Sequence, residues 1–328
     1  MQNNSINIIN KDLCVASIDI GTNSTHLLIA QINSDLKSFT IKFTEKSTTR
    51  LGERDDDGNL TEEAIERVIE TLKRFKEYCI SYRVSKILTA ATSAVRESPN
   101  GIDLITRVSE NIGIEIELIS GAEEARLIYL GVLSGMSLEN KSHIILDIGG
   151  GSTELILANS EDTRALTSSR IGAVRLKNDF FQGEPLTSNR LDFIKTFIQG
   201  SLEPSIGKIK RRLVKNESVS MIATSGTAIA LGNLISSDLG EPKQKMHGYK
   251  FYKSNLDALL SKLIKLTPLD LRKIPSLSER RSEIIIPGGL ILNTSMEMLN
   301  ISELTISERA LREGLAVSYT HLTLPTKG

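Results

Sequence analysis

The 328-residue sequence has few cysteines and histidines, and it carries no excess charge of either sign. Its two cysteines, Cys14 and Cys79, are too few for a disulfide scaffold, and free thiols are typical of a reducing compartment. The four histidines share no ligand-like spacing with one another or with the cysteines, which argues against a zinc site. Forty basic residues offset forty acidic ones, so no overall field attracts the chain to nucleic acid or to a membrane.

Two kinds of apolar segment are also missing from the sequence. No apolar run approaches the length that crosses a bilayer, and residues 1–5 lack the charged start of a secretory signal peptide. We therefore expect a cytoplasmic globular protein that binds neither nucleic acid nor membrane. The length is sufficient for two domains with separate cores.

Two glycine-rich loops of similar design are the most informative feature that is present. The first glycine loop is residues 19–24 (Asp-Ile-Gly-Thr-Asn-Ser), and the second is residues 147–154 (Asp-Ile-Gly-Gly-Gly-Ser-Thr-Glu). In each, an apolar strand ends in aspartate, and glycine then allows a tight turn. The backbone N–H groups and hydroxyls that follow can hold phosphate oxygens, and the aspartate can hold a divalent cation. The recurrence predicts a duplicated fold that closes on one phosphate-bearing ligand.

The rest of the pattern alternates between strands and helices, which indicates an α/β fold class. Thr61 is placed to cap a helix, and Gly113 to end one that covers residues 102–111. A strand is predicted over residues 114–119, and Ser120 then opens the next helix. A third loop of small residues, 224–228, precedes another helix and offers a further anion site.

The end of the chain departs from the helical pattern before it. We expect the last helix to end near Val317, and residues 318–328 to be a non-native tail.

Six segments, taken in order, resemble the exopolyphosphatase/guanosine-pentaphosphate phosphohydrolase (Ppx/GppA) family. They are residues 18–24, 91–96, 120–126, 147–154, 172–176 and 307–314. The resemblance implies two RNase H-like domains of the actin-like/Hsp70-like/sugar-kinase (ASKHA) superfamily with a cleft between them. The domains would be residues 13–123 and 124–306, with a last helix near 307–317 that packs back onto the first.

The resemblance also implies which residues carry out the chemistry. Glu124 matches the family's base, which activates water, and Arg96 would balance charge on the transferred phosphoryl group. Glu123 competes with Glu124 for the assignment, because neighbouring helix positions point about 100° apart and only one can face a cleft.

The expected cofactor is Mg²⁺ or Mn²⁺, held by Asp147 and Glu154 with help from Asp19. The residues expected to bind phosphate lie in the three loops and after Gly172. They are Gly21, Thr22, Asn23, Ser24, Gly149, Gly150, Gly151, Ser152, Thr153, Arg175, Ser225, Gly226 and Thr227.

The implied activity is hydrolysis of terminal phosphoanhydride bonds, with inorganic polyphosphate as the expected substrate. The alternative substrate is guanosine-5′-triphosphate,3′-diphosphate (pppGpp), because both molecules present a linear phosphoanhydride end. A non-catalytic polyphosphate or alarmone sensor and a sugar-kinase-like phosphotransferase are further alternatives. A homodimer is compatible with the sequence.

Overall fold

The computed structural model describes residues 13–33, 38–139, 141–181 and 186–323. The strands are β1 (Leu13–Ile20), β2 (Thr25–Asn33), β3 (Ser38–Ser47), β4 (Lys86–Ala91), β5 (Glu117–Leu118), β6 (Ser142–Ile148), β7 (Thr153–Ala158), β8 (Thr163–Ser169), β9 (Val219–Thr224), β10 (Lys250–Tyr252) and β11 (Glu303–Ile306). The helices are α1 (Glu62–Ser81), α2 (Ser93–Arg96), α3 (Gly101–Ile112), α4 (Gly121–Leu133), α5 (Ala173–Phe180), α6 (Ser188–Arg212), α7 (Ser225–Asp238), α8 (Lys253–Leu263), α9 (Pro268–Arg272), α10 (Glu279–Ser282), α11 (Ile285–Met298) and α12 (Leu311–Thr323).

These strands form two mixed sheets of related design. The first sheet has the order β3-β2-β1-β4-β5, and the second has the order β10-β11-β9-β6-β7-β8. In each sheet, the strand before a glycine loop pairs antiparallel with the next strand and parallel with a later one. The α/β fold class is therefore confirmed, and the duplication predicted from the two loops is present in the strand pairing.

Each sheet is covered on both faces. One face of the first sheet packs its apolar residues against α1 and α3. One face of the second sheet packs against α6, α7, α8 and α11, and this contact forms the largest core. The remaining faces pack against α4 and α12, which lie side by side.

The packing of α4 against α12 depends on glycine. A Cβ atom at Gly314 would overlap the carbonyl group of Leu127, and one at Gly131 would overlap that of Ala310. The helices can approach this closely only because neither position carries a side chain. Each helix also leads into the cleft between the two sheets.

Several predicted helix boundaries are confirmed, and two predictions are wrong. Thr61 and Ser120 cap α1 and α4, and Gly113 ends α3 in the left-handed region at φ 68°. Of the strand predicted over residues 114–119, only β5 forms, because the chain pairs with β4 at just two positions.

The last helix begins at Leu311 and continues to Thr323, so the predicted bounds near 307 and 317 are wrong. The Ser307 hydroxyl bonds the backbone of Arg309 and holds a turn before the helix. Residues 318–323 of the predicted tail continue α12, and residues 324–328 lie outside the described residues. Throughout the described ranges, none of the helices combines the length and hydropathy needed to cross a membrane.

Candidate active site

A cavity of about 360 Å³ lies between the two sheets, at the carboxyl ends of β1 and β6. Both glycine loops, the start of α4 and the start of α7 meet there. The predicted site residues that line it are Asp19, Gly21, Thr22, Asn23, Ser24, Glu124, Asp147, Gly149, Gly150, Gly151, Ser152, Ser225, Gly226 and Thr227.

The two glycine loops have the same backbone turn. The Gly21 N–H donates to the Ser24 carbonyl at 3.1 Å, and the Gly149 N–H donates to the Ser152 carbonyl at 2.9 Å. The loops also touch across the cleft: a Cβ atom at Gly150 would come within 2.8 Å of the Thr22 Cβ, and one at Gly151 within 2.9 Å of the Thr22 hydroxyl. Glycine is therefore required where the second loop approaches the first half of the chain.

The third small-residue loop forms one end of the cavity. Ser225, the first residue of α7, has a φ of 88°, an uncommon conformation for a residue with a side chain. Its hydroxyl accepts a hydrogen bond from the Thr227 N–H at 3.2 Å. The strained residue stands at the start of a 14-residue helix, where free N–H groups and the helix dipole favour an anion.

Glu124 lies in the cavity wall and is only 7% exposed. The Arg96 Nη1 donates to its Oε2 at 3.2 Å and to the Ile119 carbonyl at 2.8 Å. Burial raises the pKa of Glu124 well above its ordinary value, and the nearby charge of Glu154 raises it further, while Arg96 opposes the shift. The environment therefore makes Glu124 a stronger base than a solvated glutamate.

Asp19 and Asp147 are buried carboxylates from the two halves of the chain. Burial raises the pKa of Asp19 to about 7, and it raises that of Asp147 to about 8 with the help of repulsion from Glu124 and Asp19. Across the described part of the chain, no side chain or backbone group donates a hydrogen bond to the Asp147 carboxylate. Buried carboxylates of this kind fit a divalent cation, which would offset their repulsion.

The three predicted metal ligands do not close into a ready-made metal site. Within the described ranges, no group of three or more His, Cys, Asp or Glu side chains is arranged to hold a metal. Glu154 pairs in register with Asp147 but does not line the cavity, and its Oε1 accepts a hydrogen bond from Ser168 at 2.7 Å. Burial and the charge of Asp147 raise its pKa to about 8.

Four other predicted site residues lie outside the cavity lining, and Arg96, which donates to Glu124, is one of them. Glu123 forms a two-bond ion pair with Arg126 at 2.7 and 2.8 Å. Arg175 donates to Glu97 at 2.5 Å and to the Gly151 carbonyl at 3.2 Å. The Thr153 hydroxyl is buried and donates to the Ile171 carbonyl at 2.6 Å. Arg175 and Thr153 therefore support the second glycine loop from behind.

The cavity also contains basic residues that the sequence analysis did not assign. They are His26, Lys46, Arg280, Arg281 and Arg312. Arg312 lies inside one of the six recognised segments, residues 307–314, so the sequence shows its motif. The sequence does not show that its side chain faces the cavity. Burial lowers the pKa of Lys46 to about 8, and the positive charges of Arg281, Arg312 and Arg280 add to the shift.

Comparison with known proteins agrees with this geometry. The profile of the Ppx/GppA phosphatase family matches residues 28–323. Exopolyphosphatase 1 of Mycobacterium tuberculosis is 28% identical over 302 residues, which cover 91% of this chain and 86% of that protein.

Two solved structures have the same fold over nearly their whole length. An exopolyphosphatase from Cytophaga hutchinsonii superposes with a TM-score of 0.86 at 28% identity, covering 94% of this chain and 98% of the other. An Aquifex aeolicus member of the Ppx/GppA family superposes with a TM-score of 0.80 at 27% identity, covering 96% of this chain and 100% of the other. The chain thus has the fold of solved Ppx/GppA structures. The chain belongs to the Ppx/GppA phosphatase family and is a phosphoanhydride hydrolase of the exopolyphosphatase or GppA type.

Proposed function

We propose that the protein is an exopolyphosphatase that releases orthophosphate from the ends of inorganic polyphosphate with Mg²⁺. The observation that carries the proposal is the meeting of both glycine loops with the buried carboxylate of Glu124 in one cavity. A linear chain of phosphates fits this arrangement, because anion-binding backbone lies on two walls and at one end. The exopolyphosphatase relatives support polyphosphate as the substrate.

The glycine loops bind the end of the substrate. Support for this role is that Thr22, Ser24 and Ser152 line the space between the sheets, where loop N–H groups and hydroxyls can meet phosphate oxygens. The start of α7 binds a phosphate farther along the chain, with Ser225 and Thr227 beside it.

Glu124 acts as the general base. A water molecule attacks the terminal phosphorus in line, a new P–O bond forms, and the terminal P–O–P bond breaks. The proton of the water passes to Glu124, and the shortened polyphosphate leaves as an anion. Arg96 holds the Glu124 carboxylate in position and, in its salt bridge, keeps enough of it ionised to accept the proton.

Asp147 and Asp19 are the residues that would hold Mg²⁺, with Glu154 and its Ser168 partner supporting Asp147 from the neighbouring strands. When bound, the ion supplies positive charge to the phosphate oxygens. Mg²⁺ uses few protein carboxylates and completes its coordination with water and substrate oxygens, which agrees with the open arrangement here.

The test is orthophosphate release with Mg²⁺ from long-chain polyphosphate and from pppGpp, at equal concentrations of chain ends. We expect release from polyphosphate, and Glu124→Gln should lower kcat by about 10²- to 10⁴-fold while substrate binding persists. Glu123→Gln is the matched control, because its carboxylate pairs with Arg126 outside the cavity.

Each other outcome has a defined meaning. Release from pppGpp alone would replace polyphosphate by the nucleotide as the substrate. Full activity of Glu124→Gln together with loss in Glu123→Gln would move the base to Glu123. Tight binding of both substrates without release would indicate a sensor.

A further inference from the structure

Both arginines that the sequence analysis assigned to the substrate are engaged elsewhere. Arg96 donates to Glu124, and Arg175 donates to Glu97, and neither lines the cavity. Arg312 does line the cavity. It comes from the second residue of α12, in a recognised segment that has no role in the proposed function.

The guanidinium group of Arg312 is fixed at two points. Its Nε donates to the Glu313 Oε1 at 2.8 Å, and its Nη1 lies 2.9 Å from the His26 Nδ1. Its carbonyl oxygen accepts a hydrogen bond from the Ser17 hydroxyl of β1 at 2.7 Å. Glu313 is only 2% exposed, and its other oxygen accepts the Ala310 N–H, so this carboxylate is itself held in place. Among the residues that the structure describes, no other group accepts from the guanidinium, so its remaining N–H groups can donate to an anion.

His26 is neutral in this arrangement. An arginine can only donate, so the His26 Nδ1 must be the acceptor and its proton must lie on Nε2. Burial lowers the pKa of His26 to about 3, and the charges of Arg312, Lys46 and Arg281 lower it further, which agrees with a neutral ring. The imidazole therefore orients Arg312 without adding a charge.

The strand register shows why a histidine stands here. In the first sheet, His26 is paired with Asp19, and in the second sheet Glu154 is paired with Asp147 at the corresponding place after the loop. Directly paired residues share one face of a sheet. On the second wall, Asp147 lines the cavity and its paired Glu154 lies outside the lining, whereas on the first wall Asp19 and His26 both line the cavity and the imidazole holds a guanidinium.

We propose that Arg312 binds the terminal phosphoryl group of the substrate from the wall opposite Asp147, and that His26 and Glu313 are its positioning residues. The charge of Arg312 acts on Asp19, at the end of the cavity where the glycine loops meet. The charge of Arg281 does not act on Asp19 in this way. Its guanidinium lies beside Gly226, near the start of α7. Of Arg312 and Arg281, Arg312 is therefore the one nearer the end where the glycine loops meet. The inference rests on the proposed hydrolysis in this cavity.

The test compares Arg312→Gln, His26→Leu and His26→Asn with wild type in orthophosphate release from long-chain polyphosphate. Arg312→Gln should lower kcat by about 10²-fold, because charge on the phosphoryl oxygens is stabilised most in the transition state. His26→Leu removes the acceptor and should lower kcat about tenfold, and His26→Asn, whose amide oxygen can replace Nδ1, should recover most of that loss. Arg107→Gln is the control, because Arg107 pairs with Glu62 on the outer helices.

Two further measurements distinguish a failure of this inference from a folding defect and from a failure of the proposed function. Removal of Arg312 leaves the buried Glu313 without its charged partner. If Arg312→Gln therefore does not fold, the comparison of His26→Leu with His26→Asn decides, and equal activity of these two variants overturns the proposal. Melting points that fall with kcat unchanged also overturn it. Calorimetric binding of tripolyphosphate is measured in Glu124→Gln with and without Arg312→Gln. A Kd raised at least about tenfold supports the inference even if neither substrate is turned over by wild type, and an unchanged Kd overturns it.

Discussion

At the scale of single residues, buried carboxyl groups that resist ionisation lie in the cavity and on the strand beside it. Burial raises the pKa values of Asp19, Asp147 and Glu154 to about 7, 8 and 8, and repulsion from neighbouring carboxylates adds to the shifts of Asp147 and Glu154. Unfolded, the same groups titrate at about 4. The folded protein therefore holds these protons more tightly than the unfolded chain. The stability that they contribute is fully present below about pH 4 and is lost as the pH rises through about 7 to 8.

We expect the free energy of unfolding of the metal-free protein to fall between about pH 5 and pH 8. The slope approaches about 1.4 kcal/mol per pH unit for each of these groups, and other titrating residues add to or subtract from it. The measurement is urea unfolding in the presence of a chelator. Mg²⁺ should restore stability most at high pH, and Asp147→Asn should flatten the profile. An identical pH profile in Asp147→Asn would contradict the assignment.

At the scale of elements, the crossing of α4 and α12 connects the base to the last helix. Glu124 lies on α4, and the crossing depends on the missing side chain of Gly314. We expect Gly314→Ala to lower the free energy of unfolding by about 1–3 kcal/mol, because the new methyl group would overlap the Leu127 carbonyl. Activity should fall as well, since both helices lead into the cavity.

Gly200→Ala is the matched control for this substitution. Gly200 lies in α6, and a Cβ atom there would meet no atom within 4 Å. Alanine should stabilise the helix by about 0.5–1 kcal/mol. Urea unfolding measures both variants, and equal effects of the two substitutions would show that the crossing tolerates a side chain.

The sequence was most informative about elements whose ends are defined locally. Thr61, Ser120 and Gly113 terminate helices through contacts within the same turn, so their residue types alone predict the boundaries. The stretch 114–119 has apolar residues suited to a strand, yet a strand exists only where a partner lies beside it, and β4 offers two positions. The start of α12 was also missed, because the Ser307 turn that delays it forms only after the chain leaves β11.

At the scale of the whole molecule, ion pairs connect the two halves of the chain around the cavity. The pair between Arg175 and Glu97 joins the start of α5 to the segment after α2. Glu283 of the second half interacts with Arg50 of the first half at 3.8 Å and with Lys177 of its own half at 3.4 Å. Of these residues, Arg175 also contacts the second glycine loop, because its Nε donates to the Gly151 carbonyl.

We expect Arg175→Gln and Glu97→Gln to raise KM for polyphosphate more than they lower kcat, because both residues position a loop and neither lines the cavity. A double-mutant cycle should give a coupling energy of about 0.5–3 kcal/mol in kcat/KM. Independent effects of the two substitutions would show that the pair does not act as a unit. A loss in Arg175→Gln as large as that in Glu124→Gln would instead indicate direct contact with substrate.

The sequence by itself determined the α/β class and the duplication, because the alternation of strands with helices and the repeated glycine turns are local features. It also predicts that the loops bind phosphate, from glycine, aspartate and hydroxyl residues at short spacing. It left Glu123 and Glu124 unresolved and pointed to Arg96 and Arg175 rather than Arg312. Only the tertiary structure decided which of these side chains reach the cavity, because that depends on how α4 and α12 cross between the sheets. Partners such as His26 and Arg312 are 286 residues apart in the chain, and no local pattern connects them.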